Sequence, residues 1–97
     1  MDIQIIATGS TGNAYRVSDG ETAVLLDAGI PFRDLQRALG FRLSDIKGAL
    51  ITHAHKDHSR ACADLLFRGV RVYTSAGTAD ACDLHGASLW TVNSLAA

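Results

Sequence analysis

Three of the four histidines of this 97-residue chain fall within six positions: His53, His55 and His58 in "THAHKDHSR", with Asp57 between the last two. Imidazole nitrogens and a carboxylate at this density are donors that suit Zn(II), as well as Mn(II) and Fe(II). His53 and His55 stand two apart at the end of an extended run, so a strand continued through them would project both rings to one side. Asp57 and His58 follow where the chain turns into a helix, from which side chains can be aimed back at the strand tip. A solvated loop that happens to hold several histidines is the bland alternative. The unit HxHxDH directly after an apolar strand argues against it.

The elements that must position this cluster can be read from periodicity. Residues 3–7, "IQIIA", read as a strand, and "TGSTGN" after it as a tight Gly-rich turn. "AYRVSDG" and "ETAVLLDAG" read as two further strands joined at Asp19-Gly20, a hairpin signal. In "GIPFRDLQRALG" the period changes: Phe32, Leu35 and Leu39 share a helical face, Pro31 suits the first turn and Gly40 the stop. "LSDIKG" reads as a short turn with Ser44 as its cap, leading to "ALIT", a brief apolar strand with the cluster at its tip. Ala61, Cys62, Leu65 and Leu66 predict a second helix closed by Gly69. "VRVYTS" predicts a strand, "GTADACDL" a short helix or turn, and "SLWTVN" a last strand. Locally paired strands followed by alternating helices and strands make an α/β layered domain.

Composition narrows the function classes. Nine basic against ten acidic residues give a net charge of −1, without the basic stripe of a dedicated nucleic-acid binder. Seven of the nine basic residues are Arg, a composition suited to phosphate. With 47% apolar residues the chain can build one modest core. It shows neither a signal peptide nor eighteen consecutive apolar residues, so the expected location is cytoplasmic, with no membrane partner. Cys62 and Cys82 form no CxxC pair and are expected as small buried hydrophobes. "GSTGN" lacks the following Lys and helix of a P-loop, which leaves a turn at a site rim where Ser10 and Asn13 could touch substrate. Arg33, Arg37, Arg68 and Arg71 are expected on helix surfaces, His85 in a surface turn, and Tyr73 and Trp90 in the core.

The run Thr52–His58 resembles the T-H-x-H-x-D-H signature of the metallo-β-lactamase fold hydrolases, and "LLDAG" at 25–29 resembles that family's earlier strand ending in Asp-x-Gly. "TGSTGNAYRV", "DAGIPF", "LGF" and "LSDI" resemble one branch, described as phosphodiesterases or double-strand DNA exonucleases linked to cell-wall metabolism. The resemblance implies the N-terminal half of an αββα sandwich and a Zn(II)-dependent hydrolase of phosphodiesters or nucleic acid. It implies two ions in the complete domain, His53 and His55 on the first, Asp57 and His58 on the second. Asp27 and Thr52 would support the ligands from behind, and Asp57 would orient the nucleophile or handle its proton.

The family is roughly twice this length, and the ligands of its C-terminal half have no counterpart here. Residues 1–97 are therefore expected to form one partial domain, inactive or weakly active alone, with one sheet face uncovered. Three accounts follow: a truncated hydrolase, a self-associating pair of halves, or a non-enzymatic metal-binding module.

Overall fold

The computed structural model describes residues 1–92, so Asn93, the last residue of the expected final strand, lies outside the described residues. Six strands form one sheet in chain order: β1 Asp2–Ala7, β2 Ala14–Ser18, β3 Ala23–Ala28, β4 Ile46–Leu50, β5 Val72–Thr74 and β6 Leu89–Thr91. β1, β2 and β3 pair antiparallel, and β3 through β6 pair parallel. Parallel neighbours need crossovers. Helices α1 (Phe32–Ala38), α2 (Lys56–Ser59), α3 (Cys62–Phe67) and α4 (Ala76–Ala81) lie in those crossovers. The α/β layering expected from the sequence is present.

The β2–β3 hairpin forms at Asp19-Gly20 because Asp19 Oδ1 accepts from the backbone N–H groups of Thr22 (2.7 Å) and Glu21 (3.0 Å), while Gly20 takes φ +98°. The same two N–H groups hold the Asp19 carboxyl below its ordinary pKa. The core lies on one side of the sheet, where Leu25, Ala49 and Val72 meet Leu35 of α1, Cys62 and Leu65 of α3 and Ala79 of α4. On the other side no helix among the described residues covers the strands. There the pairing Ile5–Tyr15–Leu26–Leu50–Tyr73–Trp90 runs as one row across all six strands. Its apolar members Ile5, Leu26 and Leu50 are exposed.

Four expectations are corrected. β4 begins at Ile46 rather than Ala49, because its register with β3 already starts at Ala23–Ile46. Gly48, a turn signal in the sequence, sits within the strand where a Cβ would come 3.0 Å from Cε1 of Tyr73. Ser44 lies inside a 3-10 turn, Leu43–Asp45, that has no side-chain cap. Trp90 is 50% exposed, on the uncovered face, with the Arg71 guanidinium 5.1 Å from its ring centre. Cys82 is only half-buried, and its thiol donates to the Ala54 carbonyl oxygen at 3.2 Å.

Cys62 is fully buried, and burial chiefly, with smaller effects of Cys82 and Asp27, pushes its thiol up to about 12 from 9.0. The unfolded chain therefore releases this proton first as pH rises, so stability present below pH 9 is lost progressively toward pH 12, by about 1.4 kcal/mol per unit. Urea midpoints measured from pH 8 to 11 should fall more steeply for the parent chain than for Cys62→Ala. Equal slopes would show that this thiol is not shielded.

Candidate metal centre

The cluster follows β4 at the carboxyl end of the parallel strands, the usual place for sites in open α/β sheets. Asp27 reaches it by a local irregularity. The β2–β3 register moves from Tyr15–Leu26 to Ala14–Ala28, which leaves Asp27 as an extra residue at φ +61°. Such a bulge re-aims a side chain, and Asp tolerates this backbone region better than most residues. Asp27 is buried, yet its carboxylate is well satisfied: Oδ1 accepts from the Thr52 N–H at 2.8 Å, the Thr52 hydroxyl lies 2.9 and 3.0 Å from its two oxygens, and Oδ2 is 2.8 Å from His58 Nδ1.

These contacts fix where the ring protons sit. A carboxylate only accepts, so the bond to Asp27 requires a proton on His58 Nδ1. Thr52 has one hydroxyl hydrogen and gives it to Asp27, so its 2.7 Å contact with His53 Nδ1 requires that nitrogen to donate. In its neutral form a ring held this way carries a bare lone pair on Nε2, the form that binds a cation. His53 and His58 lie with ring centres 4.5 Å apart, and Oδ2 of Asp57 is 3.6 Å from His58 Nε2. One donor atom from each of Asp27, His53 and His58 lies within 4.8 Å of the others. Two imidazole nitrogens and a carboxylate are donors that fit a borderline divalent ion; the carboxylate within mutual reach of both rings is Asp27, while Asp57 lies beside His58.

The structure brings His53 together with His58 rather than with His55. β4 ends at Leu50, so the strand alternation that would have aligned His53 and His55 does not extend to them. His55 is exposed at the N-terminal boundary of α2, where its carbonyl oxygen accepts from the N–H groups of His58 and Ser59 and the Ser59 hydroxyl. His85 pairs with Asp83 at 2.7 Å on the surface.

The backbone of Asp57 is held as closely as its side chain. Its carbonyl oxygen accepts from the Asn13 N–H at 2.7 Å and from Asn13 Nδ2 at 3.1 Å, and the Asn13 carbonyl oxygen accepts from Gly29 N–H at 2.9 Å. Asn13 also exchanges side-chain bonds with Gly9 N and O, so its amide is a brace for α2 rather than a free rim group. Ser10 is exposed on the same turn. Gly29 must lack a side chain, since a Cβ there would collide with the Asp57 carbonyl. At Gly12 a Cβ would meet the Gly29 oxygen at 2.7 Å. The sequence flagged these glycines only as turn and motif letters. The partner of Gly29, Asp57, is 28 residues away, a contact that no local signal reports.

Residues 7–72 match the family model described as the metallo-beta-lactamase superfamily. An exodeoxyribonuclease, YycJ, from Bacillus anthracis is 33% identical over 61 residues, which span 60% of this chain and 23% of that protein. A motif mutant of the metallo-beta-lactamase from Cronobacter sakazakii superposes with a TM-score of 0.67 at 30% identity, covering 80% of this chain and 33% of that one. The human short-form tRNase Z gives 0.66 at 22% identity, covering 84% and 37%, a likeness of fold. The chain thus spans about a quarter of the length of the curated relative and about a third of these structures.

Proposed function

The chain belongs to the metallo-beta-lactamase superfamily, and from that membership we propose that it supplies the N-terminal ligand loop of a Zn(II)-dependent hydrolase acting on phosphodiesters of nucleic acid. The observation that carries this reading is the way His53 and His58 are both engaged through Nδ1, by Thr52 and Asp27, with Nε2 of His58 3.6 Å from Asp57 Oδ2. The exodeoxyribonuclease relative supports the substrate class.

His53, His55, Asp57 and His58 would hold the metal, two ions when the site is complete. When bound, such ions polarise a phosphoryl oxygen and lower the pKa of a coordinated water. Asp27 keeps His58 in the donor tautomer, and Thr52 does so for His53. Asp57, beside His58, would orient a water or accept its proton. Four ligands are too few for two ions of four or more donors each. A complete two-ion site would need further donors, and with these four alone the chain would hold metal loosely and turn over slowly.

Metal content and native mass of one purified sample test this. The parent should retain Zn(II), and His53→Ala or Asp57→Ala should lower the affinity at least 10-fold. Equal metal in parent and variants contradicts the assignment. The exposed Ile5, Leu26 and Leu50 favour a second reading, in which two copies cover each other's bare sheet face and the site is a self-associating metal module. A doubled mass with no phosphodiester turnover supports that reading, and a single-chain mass removes it.

A further inference from the structure

We propose that the cleft on the outer side of α2 is a subsite for a backbone phosphate of a nucleic-acid strand, an inference that rests on the phosphodiester reading above. The cleft, about 500 Å³, lies between α2, the start of α3 and the end of α4. Lys56 and Arg60 line it, Ala54 and Leu84 add apolar wall, and no acidic residue borders it. Arg60 N–H donates to the Lys56 carbonyl oxygen at 3.1 Å, so the two cations stand one helical turn apart. Like charges at this spacing repel each other. Among the described residues neither cation has an acidic partner within salt-bridge distance.

Both cations are exposed and line one cleft, and an anion placed between them would relieve their repulsion. The ammonium offers a point charge and the guanidinium a flat fork, the pair of donors that phosphate oxygens take. The location selects the class of anion. Lys56 stands directly between His55 and Asp57 in the chain, so a ligand in the cleft lies beside the metal loop. A polymer with regularly spaced phosphates can occupy this cleft and the metal loop together, while a small phosphate would fill only one. The strand would pass the exposed His55 at the start of α2. The subsite holds a flanking phosphate and leaves the reacting one to the metal ligands.

Fluorescence anisotropy with a labelled single-stranded DNA oligonucleotide, in the presence of a chelator so that metal does not contribute, tests this in the whole chain. Lys56→Ala with Arg60→Ala should raise the dissociation constant at least 10-fold and reduce the slope of log K against log salt by about 1.4, two phosphate contacts' worth. The charge-matched pair Arg42→Ala with Lys47→Ala, at another surface cleft, should change the slope by no such amount. The exchange Lys56→Arg with Arg60→Lys should bind like the parent, which separates lost charge from lost fold. An unchanged slope in the first variant, or an equal drop in the Arg42/Lys47 control, overturns the subsite. Zn(II) content read on chelator-free aliquots of the same preparations keeps the two proposals apart: His53→Ala should lose metal and keep the salt slope, and the Lys56/Arg60 variant should do the reverse.

Discussion

Gly29→Ala should dismantle the metal loop although position 29 carries no ligand. The added methyl would collide with the Asp57 carbonyl group and sit 2.6 Å from the His58 nitrogen, and the obstructing atoms are backbone that no rotamer change can move. Relief requires α2 to shift away from β3. That breaks the two bonds from Asn13 to the Asp57 oxygen and the bond from Ala61 N–H to the Ala28 oxygen, 2.8 Å in the parent. Overpacking of this kind costs about 1–3 kcal/mol, and a buried acceptor left unpaired about 1–3 more. A small domain has about 5–15 kcal/mol in total, so the urea midpoint should drop severely and Zn(II) affinity with it. Gly77→Ala is the matched comparison. It lies in α4 with nothing within 4 Å of its would-be Cβ, and alanine there should stabilise by up to about 1 kcal/mol. A Gly29→Ala chain as stable as its parent would mean that β3 and α2 are not in contact.

Asp27→Asn should separate metal binding from folding. Asparagine matches the shape and tolerates the φ of +61° at the bulge, so the backbone can persist. It offers one acceptor oxygen and one donor group, whereas Thr52 N–H, the Thr52 hydroxyl and His58 Nδ1–H all require acceptors in the parent. One ring loses its enforced tautomer. Loss of such a supporting partner lowers metal affinity by about 10- to 100-fold, while the stability loss stays near 1–3 kcal/mol. Calorimetric Zn(II) titration with a parallel urea curve checks both values. Asp27→Ala should be worse on stability, because alanine pays the left-handed strain and leaves the Thr52 and His58 donors unmatched.

Much of the domain could be read from its letters, for reasons that also explain the misses. Asp19-Gly20, the helical spacing of Phe32, Leu35 and Leu39, and the Ala61–Leu66 pattern are local signals, and the hairpin, α1 and α3 appear where those signals lie. The place of the candidate metal group was legible in part, because His53 and His58 lie in one local run. Its internal geometry was not. The pairing of His53 with His58 depends on β4 ending at Leu50, which is set by the register with β3, and that register also placed Ile46 in the strand. The bulge at Asp27 and the Gly29–Asp57 approach are properties of two segments meeting. In "LLDAG" they leave only an Asp and a Gly. Trp90 was misjudged because a strand residue is buried only if something covers its face, and among the described residues nothing covers this one.

The central proposal, that His53 and His58 are held through Nδ1 and bind metal through Nε2, is tested most directly by long-range nitrogen–proton spectra of the histidine rings during Zn(II) titration. Before metal, both rings should show the Nδ1–H tautomer. On titration the Nε2 signals of His53 and His58 should shift together, with His85 unmoved. Rings that show the opposite tautomer, or that ignore zinc at concentrations well above the protein's, would contradict the account.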